Sequence, residues 1–334
     1  MSLNILFFCP FKFNLQSKNL NKLGGIETLN YNLAIKLANV TNFNIFLATY
    51  TKRKIIKKKV TNLSIKKLNN EKYTFDVVIS SNVSKIFNNY PNSKKIYWMH
   101  NTLAIEKGLR KKILISLIFN KIIAVFVSRF LQFNTSRFYF FNKQHVIPNF
   151  LSNEFNKINK NYKRQKIFIW SVKRDKGLKN VFDIWIKKIY PRNNDAKLFV
   201  FGVSPKLFKK NINFYKKNNI YLFGLVQKKI LKKFYNKSLA MICLGYDETF
   251  CLNALEANAC GLPIITFGYT ALKDFTFNNK NGYLVNNYDE LAKKINHLCN
   301  SKINKDIINY SYDYSKKFDL DKVAYKWINL LKNK

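Results

Sequence analysis

The chain has 334 residues, 47% hydrophobic and 16% aromatic with only 10 Gly and 6 Pro, which suits two packed domains and excludes a disordered or collagen-like chain. Lys and Arg number 59 against 18 Asp and Glu, a formal charge of +41, but only seven of the cations are Arg and the lysines are spread evenly beside abundant Asn, Ile and Phe. That pattern fits an AT-rich coding bias better than a clustered, Arg-using nucleic-acid footprint.

The five cysteines (Cys9, Cys243, Cys251, Cys260, Cys299) are widely spaced and form no C-x-x-C pair, so neither a disulfide framework nor a zinc site is expected, and a reducing cytoplasm fits. The start, MSLNILFFCP, has no basic n-region and no cleavage site. It reads as fold rather than as an address.

In chain order, ILFFCP (5–10) predicts a first strand and 26–40 a helix whose Leu29, Leu33, Ile35 and Leu37 face a core. Strands follow at 75–80, 95–100 and 122–127. The apolar run 113–127 is broken by Asn120 and Lys121 and is shorter than the roughly 20 residues a membrane-spanning helix requires. HVIPNF (145–150), a Pro-bearing strand end, closes the first α/β domain, and the polar, basic stretch 151–166 reads as a linker. The pattern restarts with strands at 167–172, 197–202, 220–224, 240–245 and 262–267. A closing helix carries Val323, Trp327, Leu330 and Leu331 at helical spacing.

The expected fold class is α/β, with two Rossmann-like, doubly wound parallel sheets. The domains are 1–152 and 153–317, and the helix at about 318–334 packs back onto the first. Ligands of such sheets lie outside the carboxyl ends of the strands, so the segments after each strand are the places to look for chemistry. Two facing sheets would leave an interdomain cleft for substrate.

The most informative segment is GYDETFCLNALEANACGLPIIT (245–266), which reads strand, acidic loop, helix, Gly stop, strand. Glu248 and Glu256 flank seven residues. On one helix they would stand roughly 80° apart; with Glu248 in the loop ahead of the helix, both can point into one cleft. The unpaired N–H groups of Phe250, Cys251 and Leu252 at the helix start suit hydroxyl or phosphate oxygens. Carboxylates beside a phosphate site make sense when they bind sugar hydroxyls. A sugar joined to a phosphate satisfies both halves.

At ETFCLNALEANACGLPIIT the chain resembles the family 4 retaining glycosyltransferases of the GT-B fold, which transfer a sugar from a nucleotide-sugar donor. The resemblance implies that Glu256 holds the ribose hydroxyls and that Glu248 faces the transferred sugar. Cys251 stands where many members have Gly; small and without a Cys or ligand triad nearby, it reads as a packing residue. In WSVKRDKGLKNVFDIW (170–185) the resemblance places a phosphate-gripping Lys at Lys176, just ahead of Gly177. The usual Arg position is filled by Ser171, which leaves Arg174 or Lys173 to substitute.

In the first domain, Gly24 and Gly25 stand at a helix start, where backbone can approach an anion closely. The resemblance places this pair over the donor phosphates. His100 ends a strand, and family members carry a His there that approaches donor sugar and acceptor. No cofactor and no metal are expected, because no D-x-D motif is present and Lys, Arg and helix N-termini can hold the diphosphate. The expected function is a retaining transfer to a glycan or lipid-linked acceptor in cell-envelope polysaccharide synthesis. Contact with an anionic membrane surface through KGLRKKILISLIFNK (107–121) goes with it. The alternatives are an RNA-type polyanion binder and a sugar-nucleotide enzyme that does not transfer. No specific nucleic-acid partner is expected, since no nucleic-acid module is recognisable.

Overall fold

The computed structural model describes residues 2–11, 24–51, 54–68, 73–81, 83–103, 108, 114–155, 163–172, 176–302 and 304–333. The chain divides into two compact units, residues 1–150 with 320–334, and residues 151–319.

The first unit is built on eight strands: β1 (Asn4–Phe8), β2 (Asn44–Thr49), β3 (Ile55–Lys57), β4 (Val60–Ser64), β5 (Val77–Ser81), β6 (Lys94–Met99), β7 (Ile123–Phe126) and β8 (Lys143–Val146). They lie in the order β3-β4-β2-β1-β5-β6-β7-β8, and only β3 runs antiparallel to its neighbour. Every residue of β5 is buried, as expected of a parallel strand covered on both faces. The predicted strands are present. The β3–β4 hairpin was illegible because its turn is made by Lys58 and Lys59, both at positive φ (51° and 61°), with none of the Asn-Gly chemistry that normally signals such a turn. Strand β8 is a solvent-facing edge of sequence KQHV and lacks an apolar pattern.

Helix Gly25–Val40 buries Leu29, Leu33 and Leu37 together with Asn30, Ala34 and Ala38. Ile35 is only half-buried, so the core face is rotated toward the smaller residues. Asn30 is tolerated inside because its Nδ2 donates to the Ile26 carbonyl and to Ser81 Oγ, both at 2.9 Å. The helix Leu320–Lys332 belongs to this unit and buries Val323, Trp327, Leu330 and Leu331. Trp327 packs edge-on against Trp98 with ring centroids 4.9 Å apart, and Lys94 Nζ donates to the Leu330 carbonyl at 2.7 Å. Within 107–121, residues 107 and 109–113 lie outside the described residues; helix Leu114–Phe119 is present, with Leu117 buried and Phe119 exposed. Among the described residues no helix is long and apolar enough to cross a membrane.

The second unit contains six strands, β9 (Ile167–Trp170), β10 (Lys197–Phe201), β11 (Ile220–Gly224), β12 (Ala240–Ile242), β13 (Ile264–Thr266) and β14 (Gly282–Leu284). All pairs are parallel, in the order β11-β10-β9-β12-β13-β14. The order reverses between β9 and β12, the topological switch point at which doubly wound sheets open a ligand crevice.

The stretch 151–166 is not the idle linker its polarity suggested. Phe155 is buried with its ring 6.2 Å from that of Tyr235. The Arg164 guanidinium donates to the carbonyls of Tyr235 and Ser238 through one nitrogen and of Cys260 and Gly261 through the other. These carbonyls lie at or just beyond the carboxyl ends of helices Lys228–Lys237 and Leu252–Ala259, where a cation also meets the negative pole of each helix. Burial lowers the Arg164 pKa to about 10.

Candidate active site

Strands β9 and β12 are in register with Trp170 opposite Ile242, so the segments that follow them leave the sheet side by side. Lys176 stands six residues beyond Trp170 and Glu248 six beyond Ile242. Their side chains meet: Lys176 Nζ donates to Glu248 Oε1 at 2.5 Å, and both are largely shielded from solvent. Glu248 lies in the loop and the helix begins only at Leu252, which settles the two placements open at the sequence level. Lys176 is held by its neighbour Gly177, which caps helix Leu178–Ile184 at φ 89°. A side chain at Gly177 would meet the Tyr288 hydroxyl at 2.9 Å, so both conformation and space demand glycine.

Glu256 lies on the inward face of helix Leu252–Ala259 and is 2% exposed. Its Oε1 accepts from Lys228 Nζ at 2.5 Å, and Lys228 also reaches Ser152 Oγ at 3.3 Å. Burial raises the Glu256 pKa above the ordinary carboxylate value, while the Lys228 ammonium opposes that rise. The carboxylates of surface pairs such as Lys188–Asp289 and Lys166–Asp195 are 65% and 59% exposed, against 16% for Glu248 and 3% for Glu256. Among the described ion pairs, the two motif glutamates are the carboxylates most shielded from solvent. Each glutamate has its own cation, Lys176 for Glu248 and Lys228 for Glu256. Sequence reading missed Lys228, one lysine among many at the start of a basic helix.

Ser171, at the end of β9, has its hydroxyl 2.5 Å from that of buried Tyr235, and its carbonyl accepts from Asn253 Nδ2 in the first turn of helix Leu252–Ala259. These bonds tie the β9 end to both helices that carry the Glu256–Lys228 pair. Arg174 and Lys173 lie outside the described residues.

Phe250 is buried against Phe275 and Phe318, so its side chain belongs to the core and only its backbone faces the loop. Cys251 takes the left-handed conformation, φ 61° and ψ 74°, and caps the helix without a side-chain hydrogen bond. That conformation explains why glycine suits the position. A neighbouring cysteine exists after all: Cys243 Sγ lies 3.4 Å from Cys251 Sγ, and both thiols are free and buried. Sulfur contact and burial hold the Cys251 pKa well above that of an ordinary thiol. Leu252 is half-buried and opens the helix. The first N–H groups of a helix have no intrahelical partner, so Leu252 and its neighbours offer donors at the mouth of the loop.

In the first unit, His100 follows β6 at its carboxyl end. It is 6% exposed, with its ring 4.7 Å from that of Trp98, and burial lowers its pKa to about 3. It is a neutral imidazole at physiological pH. Gly24 caps helix Gly25–Val40, and the Glu27 carboxylate folds over it so closely that a side chain at Gly24 would meet Glu27 Oε2 at 2.5 Å. A helix start with its own carboxylate is already partly compensated. Among the described residues no three His, Cys, Asp or Glu side chains are grouped to hold a metal ion.

Residues 152–314 match the family model described as glycosyl transferases group 1. The match spans nearly the whole second unit and just under half of the chain. The chain is also 30% identical over 162 residues to an uncharacterized glycosyltransferase of Methanocaldococcus jannaschii, covering 47% of this chain and 44% of that protein; the match thus spans less than half of the curated relative. Among solved structures, the sucrose-phosphate synthase of Thermosynechococcus elongatus superposes with a TM-score of 0.76 at 14% identity over 98% of each chain. WaaG, a glycosyltransferase involved in lipopolysaccharide biosynthesis, gives 0.73 at 11% identity over 99% of this chain and 100% of its own. Anabaena HepE, solved with UDP and glucose, gives 0.72 at 15% over 98% and 99%. These likenesses speak to the fold: two parallel-sheet α/β domains of GT-B type. The switch-point residues Lys176, Glu248 and Glu256 all lie inside the segment that matches the family model.

Proposed function

We propose that the protein is a retaining glycosyltransferase that takes a sugar from a nucleotide-sugar donor held by its second unit and passes it to a glycan or lipid-linked acceptor, without a metal ion. The observation that carries this reading is the pairing of the two motif glutamates with two lysines around the switch point of the second sheet. A desolvated carboxylate at Glu256 suits the diol of a ribose, which offers two donors to one acceptor group. Lys176, beside the amino end of the Leu252–Ala259 helix, suits a diphosphate. As the bond to the sugar breaks, the leaving diphosphate gains negative charge, and a fixed ammonium with oriented N–H groups stabilises it.

Glu248 is then assigned to hydroxyls of the transferred sugar, with Lys176 exchanging its carboxylate contact for phosphate oxygens when donor arrives. Gly24, Gly25 and neutral His100 of the first unit are assigned to donor-phosphate, sugar and acceptor contacts on the strength of the family resemblance. No carboxylate is available in this scheme as a covalent nucleophile. Retention then follows from front-face displacement, in which the departing phosphate takes the acceptor proton.

A role in cell-envelope synthesis at a membrane surface draws support from the run 107–153, which holds eight Lys or Arg and no Asp or Glu. Phe119, Phe133, Phe138 and Phe140 within it are each more than 60% exposed, the mixture of cations and apolar groups that anionic bilayers attract. The test is to incubate the protein with UDP-, GDP-, ADP- and dTDP-sugars and glycan or lipid-linked acceptors. The anomeric configuration of the product is then read by NMR. Donor-dependent transfer with retention is expected, and an inverted product would contradict the mechanism.

A further inference from the structure

We infer that Lys228 is a positioning residue for donor binding: it fixes the Glu256 carboxylate in its ionised, diol-accepting form inside the second unit. The inference rests on the reading of Glu256 as the ribose-binding group.

Lys228 stands at the first position of helix Lys228–Lys237, and Gln227 before it supplies no side-chain cap. A cation there opposes the helix dipole, which favours acidic groups at the amino end. The residue is therefore poorly placed for the helix itself, and its partner lies elsewhere. Lys228 Nζ is 2.5 Å from Glu256 Oε1 and 3.3 Å from Ser152 Oγ, and it lies 5.9 Å from the Phe155 ring centroid. One ammonium thus joins the Asn153–Phe155 turn region, its own helix and helix Leu252–Ala259.

Other charged and titratable groups act on Glu256 from the packed elements. Glu154, in the turn, raises its pKa further. The Tyr235 hydroxyl, on the Lys228 helix, and the Cys260 thiol, just past the Glu256 helix, each sense the Glu256 charge and are themselves pushed up. Of all these, Lys228 alone favours the charged carboxylate. Without it, burial and Glu154 would both drive Glu256 toward its protonated form, which gives up one acceptor oxygen to an O–H donor.

The sign follows directly. Donor binding needs the carboxylate, and in the wild type Lys228 opposes the rise that burial imposes on the Glu256 pKa. In Lys228→Met the folded-state pKa of Glu256 moves further up, and affinity falls as pH drops toward it. The experiment titrates UDP, GDP and ADP into the full chain by calorimetry from pH 6 to 9, taking forward whichever nucleotide binds. Lys228→Met is expected to lose at least tenfold in affinity at pH 6.5, to regain part of it by pH 9, and to change the number of protons taken up on binding. Lys228→Arg should keep the wild-type profile, and Lys228→Gln, less apolar at a partly exposed site, repeats the Met result should Met fail to fold. Wild-type affinity and the wild-type pH profile in both neutral variants would overturn the inference. If Glu256→Ala itself leaves nucleotide affinity unchanged, it is the ribose reading that fails, and the two failures are thereby told apart.

Discussion

Lys176 and Glu248, separated by 72 residues in the chain, form an ion pair of 2.5 Å because parallel strands β9 and β12 deliver their loops to one point. Under the proposed function this contact is the resting arrangement of a site whose cation and anion both have business with the donor. Separating them should give opposite phenotypes.

Lys176→Met is expected to weaken nucleoside diphosphate binding by roughly 10- to 100-fold, the size of about 1.5–3 kcal/mol for a hydrogen bond to a charged group. Glu248→Gln should leave nucleoside diphosphate affinity unchanged or raise it slightly, since Lys176 is freed, while lowering turnover by on the order of 100-fold or more. Calorimetry with the nucleotide alone, set beside transfer rates, checks both; equal losses of affinity in the two variants would show that the pair acts only as a structural clamp.

Cys251 tests a backbone argument. A non-glycine residue in the left-handed region costs about 1–2 kcal/mol, and Cys251 sits there at φ 61°. Cys251→Ala and Cys251→Gly both remove the sulfur contact with Cys243, yet only Gly removes the strain. Cys251→Gly should therefore unfold about 2–4 °C above Cys251→Ala in a thermal melt, for roughly 1 kcal/mol in a unit of this size. Alanine melting at or above glycine would refute the argument.

Burial of His100 carries a pH dependence whose sign is fixed. Its folded-state pKa of about 3 is below the unfolded value near 6.5, so the unfolded chain binds the proton more readily. Stability is complete above pH 6.5 and declines as pH falls toward 3, by up to about 1.4 kcal/mol per unit from this group. Urea unfolding followed by tryptophan fluorescence, which Trp98 beside His100 makes sensitive to the first unit, should show a smaller acid loss in His100→Phe than in wild type between pH 7 and 5. Parallel losses would mean that His100 takes up its proton without unfolding.

Much of this architecture could be read from the sequence, and the exceptions have physical causes. Strands buried on both faces, such as β7 and β9, are continuous apolar runs and were legible. The Lys-Lys hairpin between β3 and β4 carries no turn signal, so only its neighbours define it; of β8, only the end at His145 and Val146 was legible. The motif glutamates stood out because acidic residues are scarce in this chain. Their partners did not: with so many lysines, nothing local distinguishes Lys228 from Lys229, and the pairing with Glu256 exists only once two helices have packed. Arg164 was hidden for the same reason, inside a polar stretch whose role is to bind carbonyls at the ends of two helices.

The most direct test of the account is nucleotide-sugar binding by wild type and Glu256→Ala. Titration calorimetry with UDP-, GDP-, ADP- and dTDP-sugars should find one donor that binds the wild type and that Glu256→Ala no longer binds measurably. If the variant binds that donor as tightly as the wild type does, the ribose of an activated sugar is not held at Glu256 and the site has been misread.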